Sequence, residues 1–293
     1  MRSYKNHFES GTSLFLYFCS LPSIYILWQG QYHFNKIIYK YYLAISNFLK
    51  INKGGIKVNI ALIIAGGSGQ RMHQDIPKQF ISVEDKPVII YTLEAFQRHP
   101  DIDSIFVVCL DGWQEILNAY AKQFNITKLS EITSGGENGQ ASIRNGIYAI
   151  KEKFKDDDIV LIHDAIRPMV SAEIISDSIA KCKLYGSGVA AIPCNEAMLV
   201  TENKKTSSSM YDRDKLVRTQ TPQAFPLKKL IWTHEEAKKR GITNSIATCT
   251  LMIELGEKVY FSAGSEKNIK LTTTDDIEIF KALLGTKKPD WLK

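Results

Sequence analysis

Residues 60–72 read Ile-Ala-Leu-Ile-Ile-Ala-Gly-Gly-Ser-Gly-Gln-Arg-Met, and this stretch decides the fold. Ile60 to Ala65 is short and apolar on both faces, the pattern of a strand covered from two sides rather than one that faces water. It runs straight into Gly66, Gly67 and Gly69. Glycines at the C-terminal end of a strand let backbone N–H groups approach an anion, so the stretch reads as a buried strand followed by a phosphate-accepting loop. Neither common phosphate motif fits. No Gly-Lys-Ser/Thr follows, as a P-loop requires, and Met72 stands where the third glycine of a dinucleotide fingerprint belongs. Taken alone, a glycine triplet is equally well a tight turn.

Outward from this stretch the same pattern repeats. Ser104 to Leu110, Asp158 to His163 and Gly188 to Pro193 are short apolar runs bounded by charged or turn residues, and they read as further buried strands. Helical spacing of apolar residues lies between them, over Pro87–Arg98, Gly112–Phe124, Gln140–Phe154 and Ala172–Tyr185. A βαβα order predicts an α/β fold: a mostly parallel sheet with helices on both faces. One segment differs. Asn195 to Lys215 is polar, holds Lys204-Lys205 and Ser207-Ser208-Ser209, and reads as a protruding hairpin or arm.

Charge narrows the function classes. The chain of 293 residues has a net charge of +6. Residues 1–57 hold seven of the 37 basic residues and one of the 31 acids, so the remainder carries 30 of each and is neutral. A neutral body argues against nucleic-acid binding by counterion release. The five cysteines form no CxxC pair and the six histidines no HxxxH or HExxH, which excludes a disulfide scaffold and a thiolate zinc site. An unclustered, odd set of cysteines fits a reducing, cytoplasmic compartment.

The N-terminal extension, residues 1–57, contains an apolar run from Leu14 to Trp28, broken by Ser20, Pro22 and Ser23. It is shorter than the ~20 residues of a spanning helix. Two readings stand: weak membrane association, or a segment upstream of the true start. Lys53-Gly54-Gly55 can be encoded by a purine-rich ribosome-binding stretch, with Val58 as a GTG start codon. The division expected is therefore residues 1–57, a catalytic body at 58–285 with its arm at about 195–215, and a tail at 286–293.

Two cations adjoin the glycine loop. Arg71 closes it, and Lys78 follows in Ile76-Pro77-Lys78-Gln79-Phe80, where Pro77 stiffens the approach. A guanidinium and an ammonium beside a glycine nest suit a triphosphate whose oxygens gain charge as the α-phosphate is attacked. Asp164 is the other conspicuous residue. It closes an apolar strand, where an unpartnered carboxylate is costly, and Mg²⁺ held by one or two carboxylates plus substrate phosphates would account for it. An ion pair with Arg167 would account for it too.

The strings AGGSGQRM, PKQF, HDAIRP (His163–Pro168), TQTPQAF (Thr219–Phe225) and NIKLTT (Asn268–Thr273), in that order, resemble the cytidylyltransferases that act on 2-C-methyl-D-erythritol 4-phosphate and on ribitol 5-phosphate. The resemblance spans about Asn59 to Leu284. It implies a Rossmann-like fold of the nucleotide-diphospho-sugar transferase type, with an arm that makes a homodimer and shares the active site. It implies that CTP and a small polyol phosphate react with loss of pyrophosphate, 2-C-methyl-D-erythritol 4-phosphate being the first acceptor expected and ribitol 5-phosphate the second. Ala65, Gly66, Gly67 and Gly69 match the family's CTP cradle, and Gly136 and Ser142 the positions whose backbone reads cytosine. Arg71, Lys78 and Lys270 match its catalytic cations and Asp164 its Mg²⁺ ligand. Arg213, supplied by the partner subunit, Thr221 and Thr243 match its acceptor side. Two departures fall on that side: Asn244 stands where the family usually has an acid, and Ala197 where the methylerythritol enzymes have a threonine.

Overall fold

The computed structural model describes residues 57–67 and 76–286. The strands are β1 (Asn59–Ala65), β2 (Ser82–Val83), β3 (Lys86–Pro87), β4 (Ser104–Cys109), β5 (Leu129–Ser134), β6 (Ile159–Asp164), β7 (Gly188–Pro193), β8 (Met198–Val200), β9 (Ser209–Tyr211), β10 (Val217–Pro226) and β11 (Phe261–Ala263). The helices are α1 (Val88–Arg98), α2 (Gln114–Gln123), α3 (Gly139–Lys151), α4 (Ala172–Tyr185), α5 (Leu227–Lys239), α6 (Thr248–Glu254) and α7 (Thr274–Leu284).

Seven strands form one sheet in the order β11-β7-β10-β6-β1-β4-β5. The neighbours β5, β4, β1 and β6 are mutually parallel. β10 runs antiparallel to both β6 and β7, so the mostly parallel expectation holds with one inverted strand in the interior of the sheet.

Alternation along the strands explains the layers. Ala61, Ile63 and Ala65 of β1 point to the face covered by α1, α2 and α4, where Leu93, Phe96, Leu117, Ile175 and Ile179 bury themselves. Ile60 and Leu62 point the other way, onto Ile147 and Ile150 of α3, Leu230 of α5 and Met252 of α6. Both faces are thus dry, which is why these strands read as continuous apolar runs. Gly146 lets α3 come close: a Cβ there would lie 2.5 Å from a Leu62 methyl and 2.7 Å from a Val108 methyl.

The parallel register also aligns the strand ends. Ala65 pairs with Cys109, Cys109 with Ser134, and Ile64 with Asp164. The loops that follow β1, β4, β5 and β6 therefore leave the sheet at one edge. The chain passes from β1 to β4 and β5 on one side, then returns to β6 on the other side of β1. Such a reversal opens a crevice beyond the carboxyl ends of the strands, the usual ligand position in open α/β sheets.

The arm is a two-stranded hairpin of β8 and β9. Beyond its polar loop it exposes Met198, Leu199, Met210 and Tyr211. No helix among the described residues is long and apolar enough to cross a membrane, and the Leu14–Trp28 segment lies outside the described residues.

Candidate active site

The crevice begins at the glycine loop. Gln79, buried in a short 3-10 turn at Lys78–Phe80, donates from Nε2 to the carbonyls of Ala65 (2.7 Å) and Gly67 (3.0 Å). One amide thereby holds the start of the loop and places Lys78 beside it. Gly69 and Arg71 lie outside the described residues. Sequence reading passed over Gln79. The signal available was a polar residue between Lys78 and an apolar aromatic, next to the loop it braces.

Facing Gly66 is a second glycine pair. A Cβ on Gly66 would sit 3.2 Å from Ser142 Oγ and 3.5 Å from Gly135 Cα, so the loops after β1 and β5 touch through glycines. The Gly136 N–H donates to Ser142 Oγ (3.0 Å), and the Ser142 N–H is spent on Asn138 O within α3. The backbone N–H of each residue is therefore engaged within the fold. Asn138 caps α3, accepting from Ala141 N at 2.9 Å, a contribution of about 1 kcal/mol. Its other end donates to the Thr243 carbonyl (3.1 Å), and Gln140 holds Ile242 O and Ser245 N. Thr243 is thus joined through its backbone to the N-terminal end of α3, while its residue remains exposed.

Asp164, at the end of β6, lies between two cations. Arg167 Nε approaches Oδ2 at 3.0 Å, and Lys270 Nζ lies 3.1 Å from Oδ2 and 3.3 Å from Oδ1. Charge-assisted hydrogen bonds of this kind are worth about 1.5–3 kcal/mol each. Partial burial pushes the carboxyl up, yet Lys270 and Arg167 together hold it below the usual carboxylate range. The ion-pair reading of Asp164 is therefore realised, and it includes a second cation 106 positions away in sequence that spacing could not reveal. Arg167 also donates to Asn268 O (2.7 Å) and so ties the Asn268–Lys270 strip to β6.

The remaining motif residues divide between chemistry and support. Thr221 Oγ1 accepts from Asp164 N (3.1 Å) and meets His163 Nδ1 at 3.0 Å. His163 is fully buried against Phe96, and desolvation pulls its pKa down to about 4, which keeps the ring neutral. Asn268 Nδ2 reaches Gln220 Oε1 (3.2 Å) and Thr221 O (2.8 Å), joining the TQTPQAF and NIKLTT strings. The last two threonines of NIKLTT do other work: Thr272 and Thr273 bind Asp276 and cap α7.

Arg213 stands apart from this cluster. It sits on a 3-10 turn at Arg213–Lys215 with its side chain 61% exposed, donates to Asn195 O (3.3 Å) and lies 3.8 Å from Asp214. The structure therefore brings together Ala65, Gly66, Gly67, Lys78, Gly136 and Ser142 on one side, and Asp164, Lys270 and Thr221 on the other, and leaves Arg213 on the arm. Two of the buried thiols are poor nucleophiles. Burial pushes Cys109 up to about 11 and Cys182 to about 12, so neither is a thiolate at neutral pH.

Residues 59–286 match the family whose description is 2-C-methyl-D-erythritol 4-phosphate cytidylyltransferase. The chain belongs to that family. Among curated relatives of this cytidylyltransferase is a ribitol-5-phosphate cytidylyltransferase of Lacticaseibacillus paracasei, 46% identical across 78% of this chain and 98% of that protein. A 2-C-methyl-D-erythritol 4-phosphate cytidylyltransferase of Clostridium botulinum is 34% identical over 77% of this chain and 97% of its own length. Among solved structures, the Francisella tularensis 2-C-methyl-D-erythritol 4-phosphate cytidylyltransferase superposes with a TM-score of 0.65 at 29% identity, covering 77% of this chain and 99% of that one. The cytidylyltransferase is thus an α/β nucleotidyltransferase in fold and family, as its motifs imply.

Proposed function

We propose that this cytidylyltransferase transfers CMP from CTP to ribitol 5-phosphate, with 2-C-methyl-D-erythritol 4-phosphate, and hence isoprenoid precursor synthesis, as the second reading. Transfer itself is supported by one arrangement: two touching glycine loops on one flank of the crevice and the Lys270–Asp164–Arg167 cluster on the other. The order of acceptors, reversed from the motif reading, is supported by the 46% identity to a ribitol-5-phosphate enzyme against 34% to a methylerythritol one. Ala197, where the methylerythritol enzymes have a threonine, departs from that pattern alone, and it falls on the acceptor side, as does Asn244, which departs from the family's usual acid.

In the reaction, an oxygen of the acceptor phosphate attacks the α-phosphorus of CTP in line. The bond from the α-phosphorus to the oxygen bridging to the β-phosphate breaks, and pyrophosphate leaves with that oxygen. Lys78, Arg71 and Lys270 hold positive charge toward oxygens that become more negative as the bond forms. The Gly136 carbonyl accepts from the cytosine N4 amine, where uracil would present an acceptor instead.

The donor set is consistent with a divalent cation held mostly by substrate. Among the described residues no group of three His, Cys, Asp or Glu side chains could cage a metal. Asp164 offers one carboxylate, which suits Mg²⁺ completed by CTP phosphates and water. When bound, such an ion supplies charge neutralisation at the phosphates. The exposed Met198, Leu199, Met210 and Tyr211 support an arm buried in a homodimer, with Arg213 reaching the partner's acceptor phosphate. Buried, unpaired cysteines support a cytoplasmic enzyme.

The test is pyrophosphate release with CTP and Mg²⁺ against each acceptor, using the full chain and a chain that starts at Val58. Ribitol 5-phosphate is expected to give the higher kcat/KM, and the shorter chain to match the full one. Turnover with neither acceptor would refute the assignment.

A further inference from the structure

The loop after β4 leaves the sheet at the crevice edge and carries a large aromatic that the reaction has not yet used. Gly112 turns the chain there at φ +83°, the Trp113 N–H donates to the Leu110 carbonyl (3.1 Å), and Trp113 caps α2, its own carbonyl accepting from Leu117 N (2.9 Å). Gln114 holds the same loop sideways, donating from Nε2 to Asp111 Oδ1 and to Ser134 Oγ at the end of β5, each at 3.1 Å. The ring so placed stacks on Phe80, with centroids 4.6 Å apart and planes 23° from parallel. Phe80 and Gln79 are the two buried residues of the 3-10 turn that begins with Lys78. Gln79 ties that turn to the glycine loop, and Phe80 ties it to Trp113.

We infer that Trp113 is a positioning residue for the transfer reaction: its ring, stacked on Phe80, sets the orientation of the Lys78 turn and so aims the Lys78 ammonium at the phosphates. A turn of three residues has no ladder of its own to resist rotation, so its orientation comes from what its buried side chains touch. Two aromatic faces in offset contact keep their mutual angle, which an aliphatic side chain of similar bulk does not impose. Electrostatic stabilisation depends on such preorganisation, and a displacement of about 1 Å at a group of this kind is costly. The inference rests on the cytidylyl-transfer reading and on the role of Lys78 in it.

Two measurements on the full chain test it. Hydrogen exchange reads the turn without any substrate. The Phe80 and Ile81 amides, bonded to Pro77 O (2.8 Å) and Lys78 O (3.3 Å), should exchange about tenfold faster in Trp113→Leu, which fills space without a stacking face. Trp113→Phe should keep the wild-type rate, Phe80→Leu should behave as Trp113→Leu, and amides of β4 and α1 should keep their protection throughout. Unchanged exchange at Phe80, or equal acceleration in β4 and α1, would make Trp113 an ordinary core residue and overturn the inference. Pyrophosphate release with CTP, Mg²⁺ and saturating acceptor is the second measurement. Trp113→Leu should lower kcat about tenfold with less than about a twofold change in the KM for the acceptor, and Trp113→Phe should recover most of the loss. In a Lys78→Ala background Trp113→Leu should add little. An equal loss in that background, or a loss in Trp113→Phe as large as in Trp113→Leu, refutes the inference. Absence of turnover with the wild-type protein would instead refute the acceptor assignment, and the exchange result would stand on its own.

Discussion

Lys270 Nζ lies within 3.3 Å of both carboxylate oxygens of Asp164, across 106 positions of sequence. Neither residue is held by its own loop alone: Asp164 is fixed by the end of β6, and Lys270 by a strip that Arg167 clamps through Asn268. The pair therefore acts as one charged unit. Asp164→Asn and Lys270→Ala should each lower kcat/KM by about 10²–10³, in the range found when one preorganised group at a reacting oxygen is lost. The double variant should lose much less than the product of the two, as measured by single-turnover kinetics. Additive losses would show that the residues serve separate steps.

At Gly136 the prediction is steric. A Cβ there would lie 2.5 Å from Ala141 Cβ and 2.8 Å from its carbonyl carbon, so the loop has to move, and with it the bond to Ser142. Gly136→Ala should raise the KM for CTP at least tenfold and narrow the preference for CTP over UTP, with little change in the thermal midpoint. Unaltered nucleotide selectivity would remove the Gly136 carbonyl from the base pocket.

His234 makes a prediction about pH. It is buried on α5 with neither ring nitrogen hydrogen-bonded, and desolvation, helped by Arg144, pulls its pKa down to about 4. Above pH ~6.5 both the native and unfolded states leave the ring neutral, so it has no effect on the balance. As the pH falls from 6.5 toward 4, the unfolded chain binds a proton that the native state refuses, and stability drops by about 1.4 kcal/mol per unit. Urea unfolding at pH 7.5 and 5.0 should therefore show His234→Leu gaining about 2 kcal/mol on the wild-type protein over that interval. A difference independent of pH would mean that the native ring protonates normally.

The arm is tested by mixing. Arg213→Ala and Lys78→Ala subunits, each nearly inactive alone, should form heterodimers with one intact and one doubly broken site if Arg213 serves the partner. Activity would then rise toward half of the wild-type value. If Arg213 serves its own subunit, both sites stay broken and no activity returns.

The strands legible in the sequence, β1, β4, β6 and β7, are those buried on both faces, because only they write an uninterrupted apolar run. β5, at the sheet edge, reads Leu-Ser-Glu-Ile-Thr-Ser and is at most half-buried, so it looks like a loop. β10 carries Thr-Gln-Thr-Pro through the interior of the sheet, and its polar side chains are spent on Asn268, Ser265 and Cys249. That makes it conspicuous as a motif and invisible as a strand. Asp164 was legible as a carboxylate at the end of an apolar strand, whereas its pairing with Lys270 and the Gln79 brace are products of tertiary contact. The arm was legible as polar, but the hairpin also exposes four large apolar side chains.

The inverted strand links the arm to the crevice mechanically. β10 leaves the arm with Val217, Arg218 and Thr219 laddered to Pro193, Ile192 and Ala191, and it is clamped again on both edges at Gln223 and Ala224 and by β6 alone beyond them. Between those anchors the register shifts, and Gln220, Thr221 and Pro222 form the only span of the strand without a ladder partner. A strand gripped at both ends cannot slide, so a displacement of the arm that reaches β10 meets this span, held by side-chain bonds to Asn268 and Asp164, before the second anchor. Thr221 thus lies where the arm's strand is joined to the rest of the sheet by side chains rather than by a ladder, and the same bonds set one wall of the crevice.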